Sequence, residues 1–238
     1  MRIVGIDASG PVASCAVLVD GEVAQLIAMN QGLTHSETIM PALDACMSAA
    51  GLTCDQVDCF ATVAGPGSFT GVRIGVSAVK GMAHGAGKPC VAVDALEALA
   101  WGVSLTPDLI CPIQDARAGQ VYGAAFQPGQ IPRRVMEDTA AKLDEYLDKA
   151  LSSAEPEQKL CFLGDGVERY RTAIESRLGQ RAVFAPAQMC YLRPAAAAAL
   201  AWENRESAVD YLTLQPHYLR APQAERARAA KLAAEGKT

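Results

Sequence analysis

The feature that most constrains this chain is a recurrence. Twice, an apolar run ends on an Asp-Ala pair and passes at once into a turn. The first runs from Arg2 to Asp7-Ala8-Ser9-Gly10, and the second from Leu109 to Asp115-Ala116-Arg117-Ala118-Gly119. Each run reads as a buried strand. After the first come strand-like segments at 13–19 and 22–29, separated by Asp20-Gly21, a strong hairpin signal. After the second come 120–126 and a weaker strand near 131–137. Both halves then continue helix, strand, helix, strand, helix. The first set is 34–50, 58–64, a helix to about residue 83, 90–93 and 94–101. The second is 139–152, 160–164, 166–178, 182–185 and 193–205, with Pro194 placed for a first helical position. Hairpins plus helical crossovers, twice over, predict an α/β protein of two similar lobes with mixed sheets. Thr106-Pro107-Asp108 marks the boundary. The expected lobes are 1–105 and 106–215, followed by a basic tail over 216–238, helical or disordered.

A second constraint is the block Gly65-Pro66-Gly67-Ser68-Phe69-Thr70-Gly71-Val72-Arg73-Ile74-Gly75. Strand-like residues from Cys59 to Ala64 enter a Gly-Pro-Gly-Ser turn and leave as a helix. Gly65 and Gly67 open backbone angles closed to other residues, and Pro66 fixes one angle between them. Ser68 or Thr70 is placed to cap the helix. Free N–H groups at a helix start attract anions, but the Lys-Ser/Thr pair of a Walker loop is missing, which weakens a phosphate-loop reading. Val72, Val76, Val79 and Ala83 recur as a buried stripe. Gly71, Gly75 and Ala78 form a second, nearly bare stripe. Each internal glycine costs about 1 kcal/mol against alanine, so close approach of another helix or strand is implied, from this chain or a partner.

Charge narrows the function classes. Residues 1–105 carry four Lys/Arg and nine Asp/Glu, residues 106–215 carry twelve and fifteen, and residues 216–238 carry five and two. An acidic body argues against direct, non-specific nucleic-acid binding, which needs clustered cations. The eight cysteines include no C-x-x-C pair, and Cys15, Cys90, Cys111 and Cys161 sit in apolar runs as small hydrophobes. With no long apolar segment at the N-terminus or elsewhere, a cytoplasmic protein with reduced thiols is expected.

The order of elements is similar to the actin-like ATPase (ASKHA, ribonuclease H-like) fold of actin, sugar kinases and Hsp70. The motifs narrow the likeness. Ile6-Asp7-Ala8-Ser9, Thr34-His35-Ser36-Glu37, the Gly65–Gly75 block, Asp115-Ala116-Arg117 with Val121-Tyr122, and Pro216-His217-Tyr218-Leu219-Arg220 resemble the signatures of the TsaB (YeaZ) family. The resemblance spans nearly the whole chain and is strongest over residues 1–100. It implies a non-catalytic subunit required for threonylcarbamoyl transfer to adenosine 37 of ANN-decoding tRNAs. Such a subunit is a scaffold and activator of the catalytic paralog TsaD, and a docking platform for the P-loop ATPase TsaE. It further implies heterodimers with TsaD, homodimers in isolation, tRNA met through the complex, and no cofactor of its own, with ATP and a metal ion acting in the partner subunits.

Each candidate residue has a competing use. The catalytic paralog carries a His-x-x-x-His pair, whereas His35 here is followed four residues on by Ile39, so His35 reads as a hydrogen-bonding residue at a helix start. In actin-like ATPases the turn after the first strand embraces phosphate. Asp7 and Ser9, Asp115, and Gly164-Asp165-Gly166 are candidates for that role, or for bonding turn backbone and capping a helix. Ser9, Ser68 and Cys54 are nucleophiles on paper, with no histidine and carboxylate at a recognisable spacing. The alternative to the subunit reading is an ATP-hydrolysing or glycopeptidase-like enzyme of the same fold. Ile39, Leu43 and Met47, facing the bare stripe Gly71, Gly75 and Ala78, form the candidate partner interface; filling the chain's own core is their other use. Arg73, Arg117 and Tyr122 are candidate surface contacts.

Overall fold

The computed structural model describes residues 1–30, 32 and 34–220. The first recurrence folds as β1 (Arg2–Asp7), β2 (Ala13–Val19), β3 (Glu22–Met29), α1 (His35–Ala49), β4 (Cys59–Gly65), α2 (Phe69–Ala86), β5 (Cys90–Asp94) and α3 (Ala95–Trp101). The second folds as β6 (Leu109–Asp115), β7 (Gln120–Gln127), β8 (Arg133–Lys142), α4 (Leu143–Ser153), β9 (Leu160–Leu163), α5 (Gly166–Leu178), β10 (Ala182–Phe184) and α6 (Pro194–Glu203). The sheets have the same plan: β3-β2-β1-β4-β5 and, reversed, β8-β7-β6-β9-β10. In each, the hairpin strands pair antiparallel and the crossover strands parallel.

Alternation along the strands divides the apolar side chains among three cores. Val4, Ile6 and Cys15 face α1 and α2, meeting Ile39, Leu43, Val72, Val76 and Val79. Leu109, Cys111, Ile113 and Phe162 face α4 and α5, meeting Tyr146, Leu147 and Ile174. The third core lies between the lobes. Ile3, Leu18, Ala61 and Val93 from the first sheet join Leu96 and Leu99 of α3, Ile110, Phe126 and Leu163 from the second sheet, and Leu200 of α6. A fully buried Leu, Ile or Phe contributes about 1.5–3 kcal/mol, so this continuous layer binds the lobes firmly.

Two boundaries differ from the sequence reading. The third strand of the second lobe runs on to Lys142, where a helix from Thr139 was expected. Val121 pairs with Ala141 and Gln120 with Lys142, so ladder pairing overrides the helical pattern of Thr139–Lys142. Second, the end of the chain returns to the first lobe. Helix α6 packs on β1, β2 and β3. Beyond it, Val209 bridges Cys90, and Leu214 is buried against α2 and β4 residues. Residues 208–220 form a strap over the first lobe: the Lys80 ammonium bonds the carbonyls of Leu212 and Leu214, and the His217 N–H bonds Ala64 O at 2.7 Å. The basic tail beyond Arg220 lies outside the described residues. Among those described, no helix is long and apolar enough to cross a membrane.

Candidate functional site

The carboxyl ends of β1, β4, β6 and β9 converge on one cleft of about 450 Å³ between the lobes. Open α/β sheets place their ligand crevices at such ends. Its walls are the turn after β1 (Ser9 to Pro11), the turn into α2 (Pro66 to Thr70), the end of β6 (Gln114 to Arg117), Tyr122, Asp165 and the strap from His217 to Arg220.

The turn into α2 is shaped by contact. Gly65 has φ +124°, and a side chain there would meet His217 O at 2.5 Å. At Gly67 one would meet Ser9 O at 2.5 Å. The Ser68 N–H bonds that Ser9 carbonyl at 2.7 Å, and Ser68 Oγ accepts the Gly71 N–H at 3.3 Å. Ser68, not Thr70, is therefore the cap. That leaves the N–H groups of Phe69 and Thr70 without hydrogen-bond partners among the described residues.

The bare stripe on α2 has an internal cause. A side chain at Gly71 would collide with the Ala8 carbonyl oxygen, and one at Gly75 would meet Thr62 Oγ1 at 2.8 Å. Ile39, Leu43 and Met47 are 1%, 2% and 7% exposed. These five residues build the first lobe itself, which corrects their reading as a partner surface; of the six, only Ala78 reaches the surface, half-buried. The sequence missed two other glycines. Gly81 and Gly85, one turn apart on the outer face of α2, are exposed, and side chains there would meet nothing within 4 Å among the described residues.

Asp7 is buried and accepts the Ser9 N–H at 2.8 Å, holding its own turn; burial raises its pKa. The Ser9 hydroxyl lies close enough to the Asp7 carboxylate to counter that rise slightly, yet makes no hydrogen bond of acceptable geometry. His35 bonds Gly10 O at 2.7 Å and ties α1 to the same turn. Asp115 accepts the Arg117 N–H and the Arg169 guanidinium, both at 3.0 Å, and the Tyr170 hydroxyl at 3.2 Å. Asp165 does not cap α5; it accepts the Asp115 N–H at 3.2 Å. Burial first, then the Asp115 charge, push its pKa up to about 6. Arg117 projects into solvent with φ +63°. Arg73 lies outside the cleft lining, its guanidinium 3.8 Å above the Phe69 ring and its Nε donating to the Tyr218 hydroxyl at 2.7 Å.

Sequence reasoning also missed Gln114, whose only signal is a polar residue ending the apolar run Leu109–Ile113. It is 5% exposed, lines the cleft, and its Oε1 has no partner among the described residues. Asp94, Asp138 and His217 are the group that comes within mutual metal-binding reach among the described residues. The Arg134 guanidinium lies among them, bonded to Asp138 and, at 3.1 Å, to Asp94. A bound cation would have to displace it. Among the described residues no serine, threonine or cysteine is hydrogen-bonded to a histidine, the first requirement of an activated nucleophile. The cleft carries both signs of charge, Arg117 and Arg220 against Asp115 and Asp165.

Residues 16–234 match the family model of TsaD, tRNA N6-adenosine threonylcarbamoyltransferase. The tRNA threonylcarbamoyladenosine biosynthesis protein TsaB of Bacillus subtilis (strain 168) is 32% identical over 94% of this chain and 96% of its own. YeaZ from Pseudomonas aeruginosa superposes with a TM-score of 0.76 at 23% identity, covering 92% of this chain and 99% of that one. Component A of the (R)-2-hydroxyglutaryl-CoA dehydratase of Acidaminococcus fermentans shares the fold, with a TM-score of 0.50 at 12% identity over 87% and 98% of the two chains. The fold is the actin-like ATPase fold. With its full-length likeness to a curated relative, this chain belongs to the TsaB (YeaZ) family of tRNA threonylcarbamoyladenosine biosynthesis.

Proposed function

We propose that this chain serves tRNA threonylcarbamoyladenosine formation as a non-catalytic subunit that binds and activates a TsaD-like paralog. The observation that carries this reading is the pair Gly81 and Gly85. Each costs α2 about 1 kcal/mol, and the described residues offer no internal reason for either, since none lies within 4 Å of a side chain placed there. Beside them lie exposed Ser77 and half-buried Ala78 and Met82, with exposed Met40, Ala45 and Ser48 on neighbouring α1. Small residues on two adjacent helices let partner helices approach closely, so the outer faces of α1 and α2 are the surface on which TsaD docks. In isolation the same face closes a homodimer.

The shared interlobe core supports a scaffold role, because a subunit that holds its shape can set the geometry of a partner. The TsaE-like ATPase docks on the pair, and tRNA is met through the complex. This chain supplies no ATP or metal chemistry of its own; both act in the partners. The complex works in the cytoplasm. Reconstitution tests the reading: TsaD and TsaE given threonylcarbamoyl-adenylate and tRNA are expected to modify the tRNA only when this chain is added. Full activity without it sinks the proposal.

A further inference from the structure

We infer that the interlobe cleft binds a zwitterion, an ammonium and a carboxylate carried on one small apolar body, as in a free α-amino acid or a short peptide. The inference goes beyond the scaffold role and does not depend on it. It begins with an acceptor. The Gln114 amide oxygen is buried in the lobe-two wall and has no partner among the described residues. Such an orphan is costly, and what completes an acceptor is a donor. On the same wall Asp165 accepts the Asp115 N–H at 3.2 Å and keeps acceptor capacity to spare. Asp115 is paired with Arg117 and Arg169, whereas Asp165 has no ion-pair partner among the described residues. Gln114 and Asp165 also share a recess of about 10 Å³ with Gly10 and Pro11, and all four belong to the cleft wall. That is about the room one water needs, and an ammonium head is of similar size. Two acceptors at one spot, one of them charged, specify a cationic donor.

The first lobe offers the opposite pole. Helix α2 opens into the cleft with the N–H groups of Phe69 and Thr70 unused, and a carboxylate suits the positive end of a helix. The Ser9 hydroxyl, 1% exposed and unpaired, lines the cleft beside Gly67 and can donate to the same group. Arg220 stands at the mouth, held by its bond to the Ala116 carbonyl at 2.9 Å. Charge decides between ligand classes. A polyanion would meet Asp115 and Asp165, and a simple cation would meet Arg117 and Arg220. A ligand with one charge of each sign satisfies both lobes. Pro11, Pro66, Val72 and Leu219 make much of the remaining lining apolar, which suits an apolar body. The volume, about 450 Å³, lies in the range of small-molecule sites and has room for a dipeptide as well as an amino acid.

Calorimetric titration of the full chain in amine-free buffer tests this, with L-leucine and L-leucylglycine as separate probes. Saturable binding of at least one, with a Kd at or below about 1 mM, is expected. Leucine binding at least as tight as leucylglycine identifies a free amino acid as the source of the chemistry, and tighter leucylglycine a peptide; either supports the site. The tighter probe with its ammonium acetylated, or with its carboxylate amidated, is expected to bind at least tenfold more weakly. Asp165→Asn, which keeps an acceptor for the Asp115 N–H, and Gln114→Leu are each expected to weaken the tighter probe at least tenfold while the far-ultraviolet circular dichroism stays that of the parent. The blocked probes are read on the parent chain, so they decide the matter even where a variant does not fold. No saturable binding of either probe overturns the inference and leaves the recess to water alone. So does a blocked form that binds as tightly as the free one, or binding that both folded variants leave unchanged.

Discussion

At the scale of single residues, the chain spends its polar groups on turns and its glycines on contacts. Asp165 carries the clearest electrostatic consequence. Its folded pKa of about 6 lies above the ordinary 3.8, so the folded state holds this proton more tightly than the unfolded one. Its stabilising contribution is complete below pH 4, is lost as pH rises through about 6, and is constant above. Asp165→Asn keeps an acceptor for the Asp115 N–H and removes the titration. Urea midpoints between pH 4 and 7 should therefore fall less in the variant than in the parent. Tyr146 makes a second test. Its ring fills the space above Gly123, and its hydroxyl donates to Ala124 O at 3.0 Å. Tyr146→Phe should cost about 1–2 kcal/mol in urea denaturation by orphaning a buried carbonyl. Gly123→Ala should cost about 1–3 kcal/mol, because the new methyl overlaps the ring. None of this was legible in the sequence, where the partner of a glycine or a buried carboxylate is far along the chain.

Among elements, α2 shows what a sequence can and cannot announce. The turn Gly65–Ser68 and the stripe Val72, Val76, Val79 were readable, because they rest on local spacing, and the cap was narrowed to Ser68 or Thr70, of which the structure uses Ser68. The meaning of its glycines was not. Gly71 and Gly75 looked open to a partner and prove to touch Ala8 and Thr62, whereas Gly81 and Gly85 drew no notice and face outward. Gly81→Ala should stabilise the isolated chain by about 0.5–1 kcal/mol, read as a higher urea midpoint. Gly81→Arg should leave the fold intact and abolish co-elution with the TsaD-like partner in size-exclusion chromatography. Strand β8 was misread for the opposite reason: Thr139–Lys142 has a helical pattern, but partners on β7 decide its conformation.

For the whole molecule, the doubled order of strands and helices was enough to predict two similar lobes. The return of the chain was not predictable. Helix α6 is rich in alanine on every side, so it carries no apolar stripe to say which sheet it covers. The strap is a run of turns whose one buried anchor, Leu214, is 1% exposed. Leu214→Ala should cost about 2–4 kcal/mol, although the residue lies far from its first-lobe neighbours in sequence. Chemical denaturation checks this against Leu212→Ala, at a 67% exposed position, which should change stability by less than about 0.5 kcal/mol.

That return has a consequence for synthesis. The inner face of the first sheet is covered in part by α6, and its outer core is closed by Leu214, so residues 2–94 are finished by residues more than a hundred positions later in the chain. While translation proceeds, the strands of residues 2–94 can pair, but an apolar face stays bare until residues near 214 have left the ribosome. A product cut short before α6 should therefore expose that face, and exposed apolar surface of this kind is what makes incomplete chains prone to aggregate.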